Sequence, residues 1–190
     1  MIQTLLKVFA CSLCILSTQL PIGAQPSSTD SGQSVHAKKL PARNISEWNI
    51  SKKKLAASGY DVVAYFPEGG STPRKGKKKI HSTYRGVVYR FSSEEHKAIF
   101  EKNPYRYEPA YGGWCAWAMS KGSKTEINPK TFIVKNDRLF LFYNGLFGNT
   151  KTDWKKGDHL SLMTLADMEW NSISKENPPE PASVKKPESP

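Results

Sequence analysis

The 190-residue chain carries 28 Lys and Arg against 17 Asp and Glu, for a formal net charge of +11, and 38% of it is hydrophobic. It is long enough for one modest core, and with only three cysteines, Cys11, Cys14 and Cys115, it is no disulfide-built scaffold. Its excess of lysine favours anionic partners: membranes, cell-wall polymers or nucleic acid.

Lys7 precedes an apolar run, Val8 to Leu16, that falls short of the ~20 residues needed to span a bilayer. Ala24 closes the segment ahead of a polar stretch, so residues 1–24 read as a secretory signal peptide and the mature protein as periplasmic or extracellular. Export argues against a nucleic-acid partner. Cys11 and Cys14 leave with the signal, as does Lys7, taking the charge from +11 to +10. Cys115 is then alone, so its thiol is free, intermolecular or metal-bound.

Residues 25–47, with Pro26 and Pro41, read as a linker, and residues 48–173 as one domain. Lys52–Lys54 and the run from Arg74 to Lys79 flank turns and are expected to be solvated. Between Gly59 and Pro67, Asp61 to Phe66 predicts a strand. Ile80–Tyr84 and Val87–Phe91 predict a hairpin across Arg85-Gly86. Ser92 followed by Glu95 reads as a capping box, opening a helix that stops at Asn103-Pro104. Thr131–Val134 and Leu139–Tyr143 predict a second hairpin across Asn136-Asp137, and Leu160 to Trp170 a closing helix. Residues 174–190, with five prolines, are expected to be a disordered tail. The sum is an α+β domain: a small antiparallel sheet of hairpins with short helices inserted.

Residues 111–119, YGGWCAWAM, hold the chemistry-bearing candidates. Gly112-Gly113 allows a turn at positive φ. A helix starting near Gly113 would put Cys115 in its first turn, where the dipole favours the thiolate. Equally, Cys115 is a small apolar residue between Trp114 and Trp117 and reads as core. Met119, four residues on, shares its helical face; thiolate and thioether suit Cu(I), with His81 or His96 as a further ligand. A Cys–His catalytic pair is a third reading, although no hydrolase, zincin or P-loop motif is present.

Tyr84, Gly86, Tyr89, Phe91, Ser93-Glu94-Glu95, Phe100, Pro104 and Tyr107 together form a pattern that resembles the YHS domain. GYDVVAYF at residues 59–66 and YGGWCA at 111–116 are similar to the GYDPVAYF and YGGYCA segments of exported, single-domain YHS proteins. The likeness spans roughly residues 55–145. It implies heavy-metal binding through cysteines at two positions that here are Ser92 and His96, so that site is changed. Members of the exported subgroup carry selenocysteine at the place of Cys115, which implies redox or soft-metal chemistry there. Two functions follow as expectations. One is soft-metal (copper-like) binding or thiol redox at Cys115, Met119, His81 and His96, with a metal ion or a thiol as partner. The other is a non-catalytic interaction module, with Cys115 as core and the basic loops on an anionic envelope surface.

Overall fold

The computed structural model describes residues 43–51 and 53–179. The signal segment 1–24, the linker up to residue 42, Lys52 and the tail from residue 180 lie outside the described residues.

β1 (His81–Tyr84) and β2 (Val87–Arg90) form the first antiparallel pair, with Tyr84 opposite Val87. Arg85 and Gly86 between them have φ of 47° and 84°, the left-handed pair that matches strand twist in a two-residue hairpin. α1 (Glu94–Lys102) follows and ends at Asn103, ahead of α2 (Pro104–Tyr107). Phe100 of α1 is fully buried, its ring 4.7 Å from that of Tyr89 and 5.1 Å from that of Phe91. The short α3 (Ala116–Met119) precedes β3 (Asn128–Lys135) and β4 (Arg138–Phe142), which pair antiparallel. Their turn residues Asn136 and Asp137 are again both left-handed, at 51° and 57°.

A third, two-residue pair, β5 (Asn144–Gly145) and β6 (Gly148–Asn149), runs into α4 (Thr150–Lys156) and then α5 (His159–Ser174). Leu162, Ala166, Trp170 and Ser174 recur every fourth residue on α5 and are all buried. Trp154 of α4 packs on Phe140 and Phe142 at 5.7 and 5.6 Å. Three two-stranded antiparallel sheets interspersed with short helices make the described residues an α+β fold.

Three expectations need correction. Asp61–Phe66 is not a strand: Val63–Tyr65 is a 3₁₀ turn, and Val62 to Phe66 are at most 1% exposed. A run buried on every side carries no period, and Asp61 bends it by accepting the Val63 amide at 3.0 Å. Ser93, not Ser92, caps α1, accepting from the His96 amide at 3.2 Å. The domain also reaches beyond 48–173. Arg43 pairs with Glu176 at 3.1 Å, Pro178 and Pro179 are buried, and the Pro178 carbonyl accepts the Tyr105 hydroxyl at 3.2 Å.

Candidate functional site

Tyr111, Gly112 and Gly113 have φ of 57°, 59° and 85°, so the chain turns left-handed for three residues. The reason is close approach: a Cβ on Gly112 would lie 2.6 Å from Trp170 and 3.1 Å from Trp48. Asn49 straps the turn, its amide donating to the Gly112 carbonyl at 3.0 Å and its Nδ2 to the Gly113 carbonyl at 3.1 Å. The Trp114 indole donates to the Glu47 carbonyl at 2.7 Å. Gly112 and the Asn49 strap thus seat this backbone against the core.

Cys115 is fully buried and stands at the N-cap of α3, not inside a first turn. Four residues generate little dipole, so the expected thiolate-favouring helix start is absent. The sulfur lies 3.3 Å from the Thr150 hydroxyl, and the Cys115 amide donates to the Thr125 carbonyl at 3.0 Å. Met119 is also fully buried. His81 is exposed on β1, and His96 is 8% exposed on α1 with partners of its own. Among the described residues no three His, Cys, Asp or Glu side chains converge as a metal site would require. The thiol readings need a reachable sulfur, and the structure encloses it.

What the structure does assemble is a polar cluster around Asp61, which is 0% exposed. One carboxylate oxygen accepts the amides of Val63 at 3.0 Å and Ala64 at 3.4 Å. The other accepts the Ser92 amide at 2.7 Å and the Ser92 hydroxyl at 2.6 Å, and lies 2.6 Å from His96 Nδ1. Ser92 and His96 are the two positions where the YHS resemblance places metal-binding cysteines. The cluster is not a hydrolase triad. A nucleophilic serine sits on Nε2 of its histidine, whereas the Ser92 hydroxyl lies 3.3 Å from Nδ1, on the carboxylate side. Nor does a Cys–His pair form among the described residues, where the hydrogen-bond partner of the Cys115 sulfur is the Thr150 hydroxyl. One sequence signal did point to Asp61: an acid inside an apolar run must be paired or capping if it is buried.

A second buried network ties the ends of the described chain. Arg43 grips Glu108 with two bonds of 2.5 and 2.7 Å, and Tyr89 donates to the same carboxylate at 2.9 Å. Burial pushes the Glu108 carboxyl above its ordinary value, against the pull of Arg43 and Tyr89. Burial also lifts the Tyr89 hydroxyl, with the Glu108 charge next in effect. The Arg43 guanidinium stacks 3.9 Å over Trp48. Tyr107 and Tyr111 are buried as well. By contrast Lys53, Lys54, Lys75, Lys77, Lys78 and Lys79 are all exposed.

Comparison of the chain with protein-family models, with curated proteins and with solved structures finds no match.

Proposed function

We propose that the chain is an exported, non-catalytic YHS-like module that docks on an anionic envelope surface through its lysine loops. The observation that carries this reading is the loop Lys77-Lys78-Lys79, exposed throughout and forming no ion pair among the described residues. The charge of +10 left once Lys7 goes with the signal (+11 less one) supplies long-range attraction to such a surface, about 1 kcal/mol for each lysine near anionic lipid. The enclosure of Cys115 and Met119 supports a packing role for both. Three motifs in family order support the YHS likeness, and the apolar segment ending at Ala24 supports export.

Replacing Lys77, Lys78 and Lys79 together with glutamine tests the reading. The melting temperature should stay unchanged, while binding to anionic vesicles or acidic wall polymer should weaken and lose much of its salt dependence. Unchanged binding by the triple variant would remove this loop from the interaction.

A further inference from the structure

The turn joining β5 to β6 reverses the usual chemistry of a hairpin tip. Turns favour Gly, Asn, Asp, Pro and Ser, and the stem here obeys with Asn144-Gly145 and Gly148-Asn149. Its tip is Leu146-Phe147, 98% and 94% exposed. Two large apolar side chains held almost wholly in water, side by side, call for a partner.

The tip is built, not frayed. The Phe147 amide donates to the Tyr143 hydroxyl at 3.2 Å, and the Tyr143 ring lies so close under the stem that a Cβ on Gly145 would meet that hydroxyl at 2.6 Å. Asn144 donates to the Thr131 hydroxyl at 3.1 Å and Asn128 to the Asn144 carbonyl at 3.3 Å. At the far side the Thr150 hydroxyl donates to the Tyr143 carbonyl at 3.1 Å, and Asn149 caps α4 by accepting the Lys151 amide at 3.1 Å. The hairpin from Asn144 to Asn149 bears no charge. The helix it enters carries Lys151, Lys155 and Lys156 against the one acid Asp153, with Lys155 and Lys156 exposed.

We propose that Leu146 and Phe147 form a finger that inserts into the interface of an anionic phospholipid bilayer, with the lysines of α4 on the headgroups. This inference rests on the anionic-surface reading above and narrows the surface to lipid. A two-residue convex wedge presents far less than the ~800 Å² per partner of a standard protein interface, whereas a fluid interface accepts it. A second copy of the exported chain would bring +10 against +10, the +11 of the full chain less Lys7. Among the described residues no helix is long and apolar enough to cross a membrane, which agrees with an interfacial mode.

The test is co-sedimentation of the exported chain, from residue 25 onward, with vesicles of phosphatidylcholine, with and without phosphatidylglycerol, beside binding to an acidic wall polymer. Leu146→Asn combined with Phe147→Asn should weaken partitioning to the phosphatidylglycerol vesicles roughly tenfold or more for each side chain. The melting temperature should not move, because both residues are exposed. In Phe147→Trp the added indole emission should be quenched by lipids brominated on the acyl chain. Lys155→Gln with Lys156→Gln should cost about fivefold per lysine. If the double Asn variant binds these vesicles as the parent does, insertion is overturned while anionic docking stands. Binding of the parent to wall polymer but not to vesicles also overturns the bilayer and spares docking. A parent that ignores both sinks the two readings together.

Discussion

Removing the Asp61 carboxylate should be among the most damaging single changes in the domain. Asp61→Ala strips the acceptor from five donor groups, and their fates differ. The Ala64 amide also reaches the Asp61 backbone carbonyl at 3.2 Å, so it keeps a partner. The Ser92 hydroxyl can turn to His96 Nδ1, 3.3 Å away. The amides of Val63 and Ser92 have only the carboxylate, at 3.0 and 2.7 Å, and are left without an acceptor, the first buried and the second half-buried. At roughly 1–3 kcal/mol for each orphaned donor, the expected loss for the two is about 2–6 kcal/mol, a large share of the ~5–15 kcal/mol that holds a domain folded. Asp61→Asn keeps one oxygen and should recover about half of that loss. Urea unfolding followed by tryptophan fluorescence reads both variants. An alanine variant within ~1 kcal/mol of the parent would refute the claim that Asp61 holds the turn at 63–65 against the start of α1.

Cys115 should resist a thiol reagent in the folded, metal-free protein and react stoichiometrically once denaturant is added; rapid labelling of the native state would return the thiol to the functional candidates. Glu68 gives a pH test. Burial works against its ionisation, yet the Tyr107 hydroxyl and then Arg106 hold its carboxyl below the ordinary 4.5. A lowered acid contributes stability that is present above 4.5 and lost as the pH falls through the folded value. The stability gap between the parent and Glu68→Gln, measured by urea midpoints, should therefore be open near neutrality and close in acid; a gap that widens on acidification would contradict the sign.

The elements legible in the sequence are those whose cause is local. Arg85-Gly86 and Asn136-Asp137 carry their own left-handed turns, so both hairpins could be placed without knowing what they pack against. Pro104 ends α1 by its own sterics. The limits of the domain are another matter. They depend on Arg43 meeting Glu108 and Glu176, the latter 133 residues away, and no local composition announces such a pairing. A proline-rich stretch read as unable to dock in fact supplies a buried carboxylate and two buried prolines. The averages that describe a tail hide a single residue with a charged partner.

The same division explains the site. Cys115 drew attention because its residue type carries chemistry, but chemistry also needs access, and access is a property of neighbours far along the chain. Thr150 beside the sulfur, Leu141 bridged to its backbone and the Trp48–Trp170 pair behind Gly112 are all contacts between distant segments. The tryptophans and glycines around Cys115 could have been reading either way, and the deciding quantity is that Gly112 leaves no room for even one added carbon. A glycine forced by contact with two indoles marks the inside of a core, and Cys115, fully buried three residues later, belongs to that core. The lysine loops and the apolar hairpin tip stand exposed, open to a partner. The function proposed for this chain therefore rests on the surface and not on the cysteine.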